Sequence, residues 1–327
     1  MPLKLTTYYS GSKVPELPGT NTFHSTELFR IYEATPGYAP VLIVASIDGK
    51  PVAKLLAALR KSARMFPPGI IKKCEIYGTG EYFDDTLDKE AIFSDILERL
   101  TNEALRNSFV IEFRNLENAM FGYKSFRENS YFAVNWLRVR NSLHNIEEVE
   151  ERFSPSRIRQ IKKGLRNGAQ IREVQTKEDT HGFARMLHHI YSSKIRRHFP
   201  NIKFFQLLES HLMTKQQSKI FIVTYKEKII GGSACIYSDD SAYLWFSGGM
   251  RKTYALQYPG ILAVWKALDD AKQHGFRHLE FMDVGLPFRK HGYREFVLRF
   301  GGKQSSTRRW FRFRWDWLNR VLIKIYE

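Results

Sequence analysis

Apolar and polar positions along this chain recur in the same order twice. In the first half, Leu28, Phe29, Ile31 and Tyr32 share one face of a helix, and Val41 to Ala45 and Val52 to Leu59 flank an Asp48-Gly49 turn. Asp-Gly between two apolar runs predicts a tight hairpin, because glycine takes the positive φ that such a turn needs. Helical spacing returns at Phe93, Ile96, Leu97 and Leu100, followed by a strand at Ile111-Glu112-Phe113 and by Gly122-Tyr123-Lys124-Ser125-Phe126. The second half repeats each piece. Its helix carries Phe183, Met186, Leu187, Ile190 and Tyr191, and its strands Ile220 to Thr224 and Ile229 to Ile236 flank a turn at Lys226 to Lys228. A helix from Ile261 to Leu268, a strand at Leu279-Glu280-Phe281 and Gly292-Tyr293-Arg294-Glu295-Phe296 then follow. Three matches in one order predict duplicated architecture. The expectation is two similar mixed α/β domains, residues 1–150 and 151–327, joined through Asn141 to Pro155, with Glu112 and Glu280 on equivalent strands.

The end of the chain adds two elements. Arg308 to Arg314 alternates as a strand does, with Arg308, Trp310, Arg312 and Arg314 on one face and Arg309, Phe311 and Phe313 on the other. Trp317, Leu318, Val321, Leu322 and Ile325 then fall at helical spacing. This helix is expected to cap the core of the second half; the alternative is an amphipathic helix lying on an anionic bilayer through Arg320 and Lys324.

A chain of 327 residues has room for two cores. No apolar run reaches the length of a membrane span, and Met1 to Lys13 lacks the apolar stretch of a signal peptide, so the expected location is cytoplasmic, the alternative being a peripheral place at the inner membrane face. Cys74 and Cys235 stand alone, which predicts buried thiols and no metal site. Charge changes the picture more. The 51 Lys and Arg against 34 Asp and Glu leave a formal +17, concentrated in three blocks: Arg152 to Arg172; Lys194, Arg196, Arg197 and Lys203; and Arg299 to Lys324. Anionic partners follow: phosphates of a nucleotide or coenzyme, tRNA, or an anionic membrane face. No signature of sequence-specific nucleic-acid reading accompanies the blocks.

No nucleophile elbow, Walker loop or His-Glu-x-x-His occurs. That absence fits a transferase whose attacking group is a substrate amine, where the fold supplies position, an oxyanion donor and a proton acceptor. One segment has the required form. Tyr243 to Met250 reads as a strand, and the loop Arg251 to Tyr258 leads to a helix starting at Pro259, where Gly260, Ile261 and Leu262 are expected to offer N–H groups to an anion. On the strand His278 to Asp283, alternation puts His278 and Glu280 on one face and Leu279 and Phe281 toward the core.

Gln257-Tyr258-Pro259-Gly260-Ile261-Leu262 resembles the Gln/Arg-x-x-Gly-x-Gly/Ala pyrophosphate loop of GNAT acyltransferases, with Leu262 at the small third anchor. Together with the duplication, the block Ser154 to Gly168 and the ending Phe296-Val297-Leu298-Arg299-Phe300-Gly301-Gly302, the chain resembles the FemABX-type branch of the GNAT superfamily from about Phe23 to Phe313. Val297 stands where Fem-type sequences usually carry lysine. The resemblance implies an α/β fold of two tandem GNAT-like domains, the second with the transfer groove, and an amide-forming N-acyltransferase. Its best-known members add amino acids from aminoacyl-tRNA to the peptide of cell-wall precursors. The implied donor is acyl-CoA or aminoacyl-tRNA, and the acceptor an amine on an anionic small molecule or a lipid-linked substrate. The candidate roles are then Glu280 as proton acceptor with the Tyr254 and Tyr293 hydroxyls nearby. Ser247, Gly248, Gly249, Gln257, Gly260 and Ile261 are candidates for the donor, and Arg157, Lys163, Arg294 and Arg299 for phosphate. Two other readings stay open, a tandem domain without catalysis that binds an anionic ligand, and a peripheral membrane protein. A splayed strand pair around Gly248 separates the first reading from these.

Overall fold

The computed structural model describes residues 2–61, 72–116, 118–191 and 199–326. The chain divides into two compact units, Met1–Trp136 with Ser306–Glu327, and Leu137–Ser305. In the first unit the strands are β1 (Lys4–Tyr8), β2 (Tyr38–Ile47), β3 (Lys50–Lys61), β4 (Lys72–Tyr77), the short β5 (Glu81–Tyr82) and β6 (Val110–Arg114). Helices α1 (Thr26–Ala34), α2 (Lys89–Asn107) and α3 (Tyr123–Glu128) lie between them. The sheet runs β1-β2-β3-β4-β6 and is completed by β13 (Lys303–Phe313) from the end of the chain, while β5 pairs with β3. The β2–β3 turn is built as the Asp-Gly pair requires, with φ of 50° at Asp48 and 78° at Gly49. Ser25 caps α1 by accepting the Leu28 N–H, and Asp88 caps α2 by accepting those of Glu90 and Ala91. Phe93, Phe113, Phe126 and Trp310 fill the core, the last two stacked at 4.6 Å.

The second unit uses the part of β7 (Phe132–Ser142) from Leu137 onward, β8 (Gln170–Glu173), β9 (Ser218–Tyr225), β10 (Lys228–Ser238), β11 (Ser241–Gly249) and β12 (His278–Phe281), in the order β7-β12-β11-β10-β9-β8. Its helices are α4 (Pro155–Arg166), α5 (Lys177–Ile190), α6 (Ile202–Leu208), α7 (Pro259–Gln273) and α8 (Gly292–Leu298). Proline opens both α4 and α7, at the position where its missing N–H costs nothing.

The repeat is physical. Strand β6 is parallel to β4 and antiparallel to β13, and β12 is parallel to β11 and antiparallel to β7. Glu112 and Glu280 therefore occupy matching places. The units differ from contiguous halves divided at residue 150, because Arg309 to Phe313 hydrogen-bond to β6 in the first unit and Val139 to Ser142 to β12 in the second. The fully buried Trp310 belongs to the core of the first unit. Periodicity marks the faces of a strand but not its partner.

The C-terminal helix α9 (Asp316–Tyr326) belongs to the first unit and does not cap the second. Asn319 is its one buried residue among those described, its side chain accepting from the Phe313 N–H at 2.8 Å and donating to the Phe313 carbonyl at 2.7 Å.

Candidate functional site

Strands β11 and β12 pair from Ser241↔His278 to Leu244↔Phe281 and no further. Beyond Leu244, β11 stays bonded to β10 as far as Gly249↔Gly231, with Trp245 the extra residue of a bulge. A bulge bends and twists its strand. Strand β12 ends at Phe281 while β11 runs on, and a cavity of about 660 Å³ opens in the second unit beside Ser247, Gly248, Gly249, Gly260, Ile261 and Tyr293. Glycine is required at the strand end, since a Cβ on Gly249 would lie 2.3 Å from the backbone nitrogen of Gly260. Close approach of β11 to the start of α7 is what shapes this wall. The Tyr191 hydroxyl donates to the Ser247 carbonyl. Because N–H and C=O of one strand residue point to the same side, the Ser247 N–H also faces away from β10.

The N-terminus of α7 is organised by Tyr258, a non-glycine residue held in the left-handed region at φ 49° and ψ 47°. Its carbonyl accepts the N–H groups of Ile261 at 2.9 Å and Leu262 at 3.1 Å. Two of the three N–H groups expected to face an anion are thus already used, leaving that of Gly260. Among the described residues no side chain caps α7, whereas the matching helix α2 is capped by the Asp88 carboxylate. Unit one has filled with its own acid the position that unit two leaves uncapped. Leu262 is fully buried in the core and does not line the cavity.

Positive charge surrounds the opening. Arg157, from the first turn of α4, is 2% exposed, with its guanidinium between the rings of Phe296 at 4.6 Å and Phe300 at 4.5 Å. It donates to the Phe296 carbonyl at 2.8 Å and to Gln160 Oε1 at 2.9 Å, and its Nε has no partner. Among the described residues no carboxylate pairs with it. Burial, and then the neighbouring Arg299, push its pKa down to about 10, so it remains a cation at neutral pH. Arg251, Lys252 and Arg299 also line the cavity, and Glu295 is the carboxylate among the lining residues.

Of the residues singled out from sequence, Ser247, Gly248, Gly249, Gly260, Ile261, Tyr293, Arg157 and Arg299 come together here. Tyr293 Oη lies 3.5 Å from Ser247 Oγ, and burial raises its pKa, so the phenol is protonated. Other candidates lie elsewhere. Glu280 is buried in β12, bound by Arg140, whose Nε is 2.8 Å away, with Arg138 at 3.9 Å. Glu112 is held in the same manner by Arg309 at 3.0 Å, Arg114 at 3.1 Å and Lys73. A pair of equivalent acids in equivalent ion clusters is the signature of structure repeated by duplication. Arg294 spends its guanidinium on the carbonyls of Val284, Leu286 and Arg289, clasping the loop before α8. Lys163 is exposed on α4 away from the cavity, and Tyr254 packs on Tyr225 at 6.1 Å. Gln257 supports the site from behind: a Cβ on Gly164 would lie 2.6 Å from its carbonyl, so glycine lets α4 approach. Lys194, Arg196 and Arg197 lie outside the described residues.

Tyr191, Arg251, Lys252 and Glu295 were not among the site candidates drawn from the sequence. For Glu295 a signal existed in the repeat itself, because the matching position of the first half is Ser125, which is buried. Departure from the duplicated pattern marks the acid that acquired a different environment.

With this geometry in place, the comparisons with known proteins are specific. Residues 155–290 match the model of the acetyltransferase (GNAT) domain family. No curated protein matches the chain in sequence. Among solved structures, FemX superposes with a TM-score of 0.64 at 10% identity, covering 99% of both chains. A tandem GNAT protein from the clavulanic acid biosynthesis pathway gives 0.60 at 10% identity, over 96% of this chain and 99% of that one. L-PGS from Bacillus licheniformis gives 0.56 at 10% identity, over 95% and 99%. At such identity the likeness is one of fold, and the fold is that of tandem GNAT proteins.

Proposed function

We propose that this chain, whose residues 155–290 match the acetyltransferase (GNAT) domain, is an N-acyltransferase that moves an acyl or aminoacyl group from a phosphate-bearing carrier to an amine. The observation that carries this reading is the buried Arg157, without a carboxylate partner among the described residues and with an unpartnered Nε, at a cavity beside the part of β11 that runs on past the end of β12. A buried cation without a counter-ion favours an anionic ligand. Arg251, Lys252 and Arg299 extend the attraction toward the mouth. The carrier phosphate then rests on these cations more than on α7, whose Ile261 and Leu262 N–H groups are already bonded.

In the reaction the acceptor nitrogen attacks the donor carbonyl carbon, a C–N bond forms, and the carbonyl oxygen takes the negative charge. The Ser247 N–H, on the open side of β11, is placed to donate to that oxygen. Glu295 accepts the proton lost by the amine. Collapse of the tetrahedral intermediate breaks the bond to the carrier, the Tyr293 hydroxyl passes a proton to the departing atom, and the proton taken up by Glu295 restores the phenol. Positioning contributes the remainder, as expected where the protein offers no nucleophile. The carrier is coenzyme A or tRNA and the acceptor an anionic or lipid-linked amine, the two donors sharing the phosphate chemistry that Arg157 recognises.

Calorimetry with acetyl-CoA and, in a separate arm, with aminoacyl-tRNA distinguishes the carriers; absence of binding by both at millimolar concentration overturns the reading. Gly260→Trp is expected to weaken binding of the true donor at least about tenfold with the fold retained. Nothing lies nearer than 3.7 Å to a Cβ added at Gly260, so the first side-chain carbon is accommodated without displacing backbone. Glu295→Gln is expected to lower kcat about a hundredfold, at the low end of general-base contributions, with donor affinity unchanged. Equal losses of affinity and turnover in that variant would assign Glu295 to binding instead.

A further inference from the structure

The C-terminal helix is built inside out. An amphipathic surface helix normally turns its apolar stripe to the core and its polar residues to water. In α9 the buried residue is Asn319, while Trp317 at 62% exposure, Val321 at 47% and Ile325 at 66% form a stripe at four-residue spacing facing solvent. Trp315, just before the helix, is 46% exposed. The orientation is fixed rather than frayed. Both polar atoms of the Asn319 side chain bond to the backbone of Phe313, Trp315 packs on Phe109 at 5.5 Å, and Tyr326 stacks on Phe132 at 5.6 Å. The outward stripe is therefore a built surface.

Charge identifies what covers it. Arg314, Arg320 and Lys324 are exposed beside the apolar stripe. Asp316 is paired with Arg312 at 3.0 Å, and among the described residues no carboxylate of the segment pairs with these three cations. A second copy of the chain would bring like charges together, on a protein that carries +17 overall. An anionic bilayer offers the complement of both features. Tryptophan sits well at the boundary between headgroups and acyl chains, and each basic residue near an anionic surface adds attraction. The helix is roughly 16 Å long at 1.5 Å per residue, which suits lying in the interface. No described helix is long and apolar enough to cross a membrane.

We propose that the exposed face of α9, with Trp315, docks this protein on an anionic lipid bilayer. The proposal is independent of the transfer reaction, and its test needs no substrate. Sedimentation of the full chain with vesicles of phosphatidylcholine containing phosphatidylglycerol is compared with vesicles of phosphatidylcholine alone. Stronger partition to the anionic vesicles is expected. Trp317→Glu with Val321→Glu should lower that partition at least about tenfold, and Arg320→Glu with Lys324→Glu should remove the preference for anionic lipid, both with unchanged melting temperature. Raising salt should weaken the charge-dependent share, since the Debye length is about 10 Å at 0.1 M. Equal partition to both vesicle types, or undiminished binding by the Trp317 and Val321 double variant, overturns the proposal. A dimer of the wild type that this double variant dissolves, without any vesicle binding, assigns the face to a second copy and overturns it as well.

Discussion

Arg157→Met lowers donor affinity on the order of a thousandfold while the protein stays folded. Removing one partner of a buried, hydrogen-bonded charge pair costs about 2–5 kcal/mol, and tenfold in affinity corresponds to about 1.4 kcal/mol, so the estimate lies inside that range. The anion is the missing partner here, since the described structure gives Arg157 no carboxylate. Methionine is the chosen replacement because it fills the slot between Phe296 and Phe300 with a flexible apolar chain. Arg157→Lys keeps the charge but loses the planar fork that stacks between the rings and reaches the Phe296 carbonyl and Gln160 together. It should restore only part of the affinity. Calorimetry against whichever donor binds the wild type, with a melting curve on each variant, is the measurement. Donor affinity within threefold of wild type in a folded Arg157→Met protein would remove Arg157 from the site and with it the main support for an anionic carrier.

The architecture was legible because burial dictates it. Apolar spacing gave the helices and strands of both repeats, and the Asp48-Gly49 turn follows from the φ values that only some residues tolerate. The second hairpin turns on Lys226 and Glu227, at φ of 47° and 63°, where residue type alone signals little; the repeat located it. The exchange of β7 and β13 was not legible, since a strand's alternation is the same whichever sheet accepts it. At the site, Gly249 and Gly260 were visible as residues but not as neighbours. The use of two helix N–H groups follows from where the helix starts: with Tyr258 as its N-cap, the Tyr258 carbonyl takes the Leu262 N–H as the first intrahelical bond and also accepts that of Ile261. Glu280 is ambiguous in the sequence for a definite reason. An acid on a strand near a groove looks the same in sequence whether it accepts a proton or neutralises two arginines.

The equivalence of Glu112 and Glu280 makes the sharpest test of structural against chemical roles. Glu112→Ala is expected to destabilise the protein by about 3–5 kcal/mol, the cost of breaking a buried ion pair by deleting one partner. Its partner Arg309 has a side chain only 7% exposed, with its guanidinium over the Trp136 ring at 3.8 Å. Glu280→Ala should cost less, because Arg140 and Arg138 have side chains 34% and 21% exposed and can be rehydrated. Acid separates the two states of Glu112 further. Burial alone would raise its pKa, but Arg114, Lys73 and Arg309 overcome that and hold it well below the ordinary carboxylate range. A depressed folded pKa contributes stability that is complete above the unfolded value of about 4.3 and is lost as pH falls toward the folded one. The deficit of Glu112→Ala relative to wild type should therefore be full at neutral pH and shrink as the medium becomes more acid than about pH 4. Urea denaturation across this range reads both effects. Turnover supplies the remaining discrimination: Glu280→Gln, corrected for the folded fraction, should keep kcat within a few-fold of wild type, because its carboxylate is bound to Arg140 away from the cavity. A hundredfold loss in that variant at unchanged stability would return the proton acceptor to β12 and displace Glu295 from the role.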